Sequence, residues 1–261
     1  MGLLAGRRRT AVLGALVVAA LGAGAAQSQA VTIKEFRSGL FGSEGQLGQI
    51  VAGPDGNLWF TARDFPSRPS GSIIRMTPRG VRAVFVEHGE GVGGPITVGP
   101  DNNLWFTGSD GGGETTLGRV TLGGVISPIV PLFGHSGAPA IAAGPDGNLW
   151  GAVSGHISQG HIVRVTTGGV VTGFGVPAQR LGGIALGPDG NLWFTEGREY
   201  PEEGQIGRIT PQGVVTQFAT GIMIVERGLR GIVSGPDGNL WFTSEAGEVG
   251  RITLNGVVTK F

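Results

Sequence analysis

Residues 53–61 read Gly-Pro-Asp-Gly-Asn-Leu-Trp-Phe-Thr, and variants of this phrase begin again at four later glycines. The five copies start at Gly53, Gly99, Gly144, Gly187 and Gly235. Each copy carries one tryptophan, and the five tryptophans of the chain, separated by 43 to 48 residues, are Trp59, Trp105, Trp150, Trp193 and Trp241. A repeat of this length with several short apolar segments is typical of a β-propeller. We therefore predict an all-β propeller of five four-stranded blades.

Each repeat predicts four short strands. The Gly-Pro-Asp-Gly turn combines a proline that fixes φ, an aspartate that bonds its own backbone and a glycine that accepts positive φ. It joins an apolar first strand, such as residues 184–186, to a second strand with the sequence Leu-Trp-Phe-Thr. A third strand of the type Ile-Gly-Arg-Ile-Thr and an outer strand such as residues 214–218 follow. Short strands joined by glycine turns form a β-meander.

One arginine recurs in the third strand of every repeat. A residue that occupies one position in each blade usually serves the blade itself. We predict that these arginines bond backbone carbonyls of a neighbouring blade rather than form a ring of anion receptors. The five positions are Arg75, Arg119, Arg164, Arg208 and Arg251.

The two ends of the propeller resemble each other. Residues 31–36 resemble the outer strand that ends every repeat, and residues 257–261 form another such strand. Two interpretations stay open. The first is a five-bladed ring closed by its own last strand, and the second is an open arc of a larger propeller. An open arc would expose an apolar blade face and self-associate.

Residues 1–30 have the pattern of a signal peptide. Three arginines, Arg7 to Arg9, precede an apolar stretch over residues 11–26, and small residues at positions 28 and 30 fit a cleavage site. The apolar stretch is shorter than the ~20 residues that a membrane span needs. We predict a secreted or periplasmic protein with a propeller domain over residues 31–261 and no membrane span after cleavage. Export by the general or by the twin-arginine route stays open.

The charge and cysteine content exclude several kinds of function. Removal of residues 1–30 takes away three arginines and no acidic residue, which leaves 16 basic and 19 acidic residues and a net charge of −3. This balance does not favour nucleic acid as a partner, since nucleic-acid binding calls for a basic patch. The chain has no cysteine, which excludes disulfides and thiol chemistry.

Several polar residues are predicted to share one end of the propeller. His88 and His135 precede first strands, whereas His156 and His161 bound the loop after the second strand of the third repeat. Both kinds of loop lie at the same mouth of the central channel. A histidine there could act as a general base because its ordinary pKa lies near neutrality. The residues that we expect to meet at this mouth are His135, His156, Glu196, Arg230 and Glu245.

The repeat over residues 187–218 resembles those of the virginiamycin B lyase (streptogramin lyase) family of seven-bladed propellers. The resemblance implies a magnesium-assisted carbon–oxygen lyase that opens a cyclic depsipeptide antibiotic at its ester bond by elimination. It also implies two histidines, each two residues before the isoleucine of a first strand. A glutamate before the last such histidine and another after Trp-Phe of the last blade complete the implied set.

This chain departs from the implied site. The residues two before the corresponding isoleucines are Gly48, Gly94, Pro139, Gly182 and Arg230, and none is histidine. Gly228 stands where the first glutamate is expected, and only Glu245 matches the second.

Two functions therefore stay open. The first is an exported scaffold without a cofactor that binds a small molecule or a protein at its mouth. The second is a lyase that uses Mg²⁺, with Glu245 as a catalytic residue. In both, His135, His156, Glu196 and Arg230 are the expected ligand contacts.

Overall fold

The computed structural model describes residues 46–63, 70–90, 92–109, 113–127, 130–132, 138, 140–155, 159–178, 180–197, 203–223 and 228–261. These residues contain strands and turns, and no helix occurs among them. None of the described segments therefore offers a helix that could cross a membrane. The predicted signal peptide and the outer-strand-like segment at 31–36 lie outside the described residues.

In the described part of the chain, twenty strands form five four-stranded antiparallel sheets, each with its strands in chain order, as the repeats predict. Blade 1 contains β1 (Gln46–Ala52), β2 (Leu58–Arg63), β3 (Ser70–Met76) and β4 (Arg82–Glu90). Blade 2 contains β5 (Ile96–Val98), β6 (Leu104–Ser109), β7 (Thr115–Val120) and β8 (Val130–Pro131). Blade 3 contains β9 (Ala140–Ala143), β10 (Leu149–Val153), β11 (Gly160–Val165) and β12 (Val171–Val176). Blade 4 contains β13 (Arg180–Leu186), β14 (Leu192–Gly197), β15 (Glu203–Ile209) and β16 (Val215–Met223). Blade 5 contains β17 (Leu229–Ser234), β18 (Leu240–Ser244), β19 (Val249–Ile252) and β20 (Val258–Lys260).

The repeated turn forms as its residues predict. In blade 1, Asp55 Oδ1 accepts hydrogen bonds from the Asn57 backbone N–H at 3.2 Å and from Trp59 Nε1 at 3.1 Å. Gly56 adopts a φ of 72°, and in the second repeat Asn102 takes this left-handed position with a φ of 57°. Asparagine tolerates this region better than other non-glycine residues. The aspartate thus fixes the turn and the tryptophan ring together.

Each tryptophan is held within its own blade. Trp193 stacks on Phe218 of the outer strand with ring centroids 5.4 Å apart, and Arg208 lies over both rings. The Arg208 guanidinium also donates to the backbone carbonyl of Leu254 in blade 5 at 3.3 Å. Arg75 and Arg164 reach the next blade in the same way. The structural role predicted for the repeated arginines is confirmed in these three blades.

The core consists of apolar clusters between successive blades. Trp150 and Ile162 of blade 3 pack with Leu181 and Phe194 of blade 4 in one such cluster. Equivalent clusters lie between the other neighbours in chain order. The first strands of successive blades contact one another, so they line the centre of the arc.

The described residues form an open arc. No contact between β17 and β1 is comparable in extent with those that join each blade to the next. The outer strand of blade 5 is β20, which follows β19 in the sequence and pairs with it. Of the two interpretations of the blade order, the described part of the chain agrees with the open arc.

The structure also corrects one loop assignment. His88 lies within β4 rather than in a loop before a first strand, and His161 is the second residue of β11. The outer strand of blade 1 runs to Glu90, and its pairing with β3 continues past His88 to Gly89 and Glu90.

Candidate functional site

Arg230 and Glu245 lie side by side at one end of blade 5. The pairing of β17 with β18 sets Leu229 opposite Ser244, which brings the start of one strand to the end of the other. Arg230 Nε donates to Glu245 Oε1 at 2.7 Å, and Arg230 Nη2 donates to the same oxygen. The Glu245 backbone N–H donates to the carbonyl of Gly228 at 3.2 Å. The structure thus joins two of the five residues that we expected at the mouth.

This pair is accessible to solvent. The Arg230 side chain is 46% exposed and that of Glu245 is 26% exposed. An ion pair with this exposure contributes about 0–1 kcal/mol to stability. Among the described residues, Arg230 Nη1 donates to no acceptor, which leaves one edge of the guanidinium directed at solvent.

Blade 4 fixes the backbone beneath Arg230. Thr195 Oγ1 donates to the Arg230 carbonyl at 2.6 Å and accepts from the Gly183 backbone N–H at 2.7 Å. The Thr195 side chain is fully buried. Sequence reasoning missed this positioning role, although the threonine that recurs after Trp-Phe in four of the five copies was the available signal.

Glu196 lies in a strand rather than in a loop. Glu196 belongs to β14 and is fully buried, whereas β18 ends one residue before Glu245. The difference arises because β14 pairs Glu196 with Gln205 of β15, and this pairing extends the ladder beyond Thr195. Gln217 Nε2 donates to Glu196 Oε2 at 2.6 Å, a contact that the sequence did not predict. The role of Glu196 as a ligand contact stays a prediction.

The remaining predicted residues, His135 and His156, lie outside the described residues. Within the described ranges, no three histidine, aspartate or glutamate side chains form a group that could hold a metal ion. The carboxylate that these ranges bring to Arg230 is that of Glu245, and the guanidinium already binds it. This donor set does not fit Mg²⁺, which prefers several oxygen ligands.

The chain is similar to known proteins in sequence and in structure. The sequence model of the virginiamycin B lyase family matches residues 31–261. No curated protein gives a significant match to the sequence.

Three solved structures illustrate the likeness. Selenomethionine-substituted virginiamycin B lyase from Staphylococcus aureus shares 26% identity over 83% of this chain and 69% of that chain, with a TM-score of 0.63. A catalytically inactive histidine-to-alanine variant of that enzyme with quinupristin shares 28% identity over 82% and 69%, with a TM-score of 0.67. A gluconolactonase from Xanthomonas campestris, at 13% identity over 83% and 75% with a TM-score of 0.56, shares the fold alone. Because the family model spans the whole predicted propeller, the chain belongs to the virginiamycin B lyase family.

Proposed function

We propose that this chain is an exported binding propeller that holds an acceptor-rich ligand at its mouth without opening it. The observation that carries the proposal is Arg230. It stands at the position where the resemblance implies a histidine in the last blade, and it binds Glu245 at the position of the implied glutamate.

An arginine at this position changes the available chemistry. A general base must accept a proton, but a guanidinium stays protonated throughout the working range of proteins and has no acceptor atom. Its N–H groups can donate hydrogen bonds to carbonyl, carboxylate or phosphate oxygens. The substitution thus replaces proton transfer by hydrogen-bond donation.

The neighbouring residues support a donor role. Glu245 orients one edge of the Arg230 guanidinium, and the Thr195 hydroxyl fixes the backbone beneath it. The weak, exposed ion pair leaves Nη1 available to a ligand. A cyclic depsipeptide presents several backbone carbonyls, so it is a suitable ligand for such a donor.

Calorimetric titration with quinupristin tests this proposal. We expect saturable binding by the natural chain and about a tenfold higher Kd for Arg230→Ala, since one charge-assisted hydrogen bond is lost. The Arg230 carbonyl would still accept from Thr195, so the fold should persist. Arg82→Ala removes an exposed arginine at the start of outer strand β4 and serves as the matched control. No binding, or equal affinity for Arg230→Ala, would contradict the proposal.

The second candidate is a lyase, favoured by the family match and by Glu245. In this reaction a base removes a proton from the carbon next to the one that bears the ester oxygen. A carbon–carbon double bond forms, the carbon–oxygen bond breaks, and the ester leaves as a carboxylate in a linear product of unchanged mass. His135 and His156 are the residues proposed as the base, because Arg230 has no acceptor atom.

A further inference from the structure

Each end blade exposes apolar residues on the side that meets a neighbouring blade at the internal junctions of the arc. We define the blade-5 face by Val233, Trp241, Thr243 and Arg251, and the blade-1 face by Leu47, Ile50 and Leu58. On the basis of these faces we propose that blade 5 of one chain docks onto blade 1 of a second copy, head to tail. This proposal is independent of the ligand site at the mouth.

The internal junctions show how one blade binds the next. A hydroxyl near the end of each second strand donates to a backbone carbonyl at or just before the first strand of the following blade. The four pairs are Thr61 with Gly94 at 2.7 Å, Thr107 with Ala138 at 3.4 Å, Ser154 with Leu181 at 3.3 Å and Thr195 with Arg230 at 2.6 Å. Ser154 serves in blade 3, where Ala152 replaces the threonine. A blade of this repeat type is thus the natural partner of another.

Blade 5 carries the donor half of such a junction. Thr243 occupies the hydroxyl position but is exposed, and Trp241 is the least buried of the five tryptophans. Val233 lies opposite Trp241 on the same face and is 59% exposed.

Arg251 is the second donor on the blade-5 face. Its Nε atom is buried and, among the described residues, donates to no acceptor. Its counterparts Arg75, Arg164 and Arg208 each donate to a turn carbonyl of the next blade. These counterparts donate from Nη1. Among the described residues Arg251 Nη1 donates to no such carbonyl, so a following blade would supply its acceptor.

Blade 1 carries the complementary half. Ile50 is 55% exposed, whereas the equivalent Ile96 is 4% exposed and covered by blade 1. Leu58 is 38% exposed, although the equivalent leucines of the other blades are buried. The outer part of this side of blade 1, around Phe60 and Ile74, is already buried. Docking would thus use the inner part of the blade.

A second copy of the chain fits these surfaces, because every copy carries both the blade-5 face and the blade-1 face. Its blade 1 offers the apolar residues that the blade-5 face lacks, together with the Gly48 and Pro78 carbonyls at the acceptor positions of the internal junctions. Such a contact joins two different surfaces, so it builds closed rings or longer chains rather than a two-fold dimer.

Light scattering during gel filtration of the full-length chain, over a concentration series, tests this proposal. We expect the natural chain to form species of two or more subunits. Val233→Glu and Ile50→Glu should each raise the Kd by about 100-fold, because each leaves an unpaired carboxylate in the interface. Val214→Glu changes a valine of similar exposure on the outer turn of blade 4 and should leave association unchanged.

Mixing the two variants gives the decisive result. Val233→Glu retains the blade-1 face and Ile50→Glu retains the blade-5 face, so an equimolar mixture should form a 1:1 dimer and nothing larger. The dimer would also show that both variants fold. A monomeric natural chain, or two variants that show native circular dichroism and stay monomeric when mixed, would overturn the proposal.

Discussion

The aspartate of each repeated turn accepts hydrogen bonds that lower the pKa of its carboxyl group. Hydrogen bonds from Asn239 and Trp241 lower the pKa of Asp237 to about 2. At Asp189, burial raises the pKa, but hydrogen bonds from Asn191 and Trp193 outweigh it and the net shift is downward. The same net lowering occurs at the other three turns. These carboxylates therefore stabilise the folded chain in their charged form.

The lowered pKa of Asp237 predicts acid sensitivity of a defined sign. A carboxyl group whose pKa is lower in the folded than in the unfolded chain stabilises the fold above the unfolded value and loses this effect as pH falls through the folded value. We expect the melting temperature to fall between about pH 4 and pH 2. Asp237→Asn should flatten this slope and lower the melting temperature at neutral pH. Identical slopes for both proteins would contradict the assignment.

Single residues were predicted unevenly from the sequence. Arg230 and Glu245 could be expected near each other because each stands at a fixed distance from the repeated Trp-Phe motif. The burial of Glu196 could not, since it depends on how far β14 pairs with β15. Repeat position defines the register of a strand but not the residue at which its ladder ends.

Within the blades, the packing of neighbouring strands depends on small residues as much as on large ones. Gly207 lies under the ring of Phe194, and a Cβ atom at this position would overlap the ring. Gly118 and Gly250 accommodate Phe106 and Phe242 in the same way. The glycine of the third-strand pattern thus makes room for the phenylalanine of the second strand.

The hydroxyl that links neighbouring blades predicts a position-dependent cost. Thr195→Val would leave the Arg230 carbonyl and the Gly183 N–H without their partner, so we expect the free energy of unfolding to fall by about 1–3 kcal/mol. Thr243→Val changes the equivalent, exposed residue of blade 5 and should cost less than about 0.5 kcal/mol. Urea unfolding at low protein concentration measures both values. Equal losses would show that the hydroxyl acts within its own blade and not between blades.

Most strands could be predicted because each repeat carries its own turn residues. The short β8, Val130–Pro131, is the exception. Proline lacks the N–H that a ladder needs, and in the described part of blade 2 the outer strand pairs with β7 at Val130 and Pro131, with a separate bridge between Val120 and Ile126. The local sequence of that repeat departs from the Val-Val-Thr pattern of blade 5, and the pairing departs with it.

At the scale of the whole molecule, the repeat count predicted five blades but not how their ends meet. Ring closure depends on the angle between blades, which arises from packing at every junction rather than from any one motif. Among the described residues, Ile50 of blade 1 and Val233 of blade 5 are exposed, whereas their counterparts at the internal junctions are more buried. A repeat protein of this kind can keep its blade structure while its mouth changes function, since function depends on the site and not on the fold.

In the function proposed above, Arg230 stands where the resemblance implies a base, and the propeller binds its ligand without elimination. The most direct test is incubation with quinupristin, with and without Mg²⁺, followed by chromatography and mass spectrometry. We predict that the intact cyclic compound is recovered in both cases. A product of the same mass but altered retention that requires Mg²⁺, and that Glu245→Gln no longer forms, would contradict the proposed function.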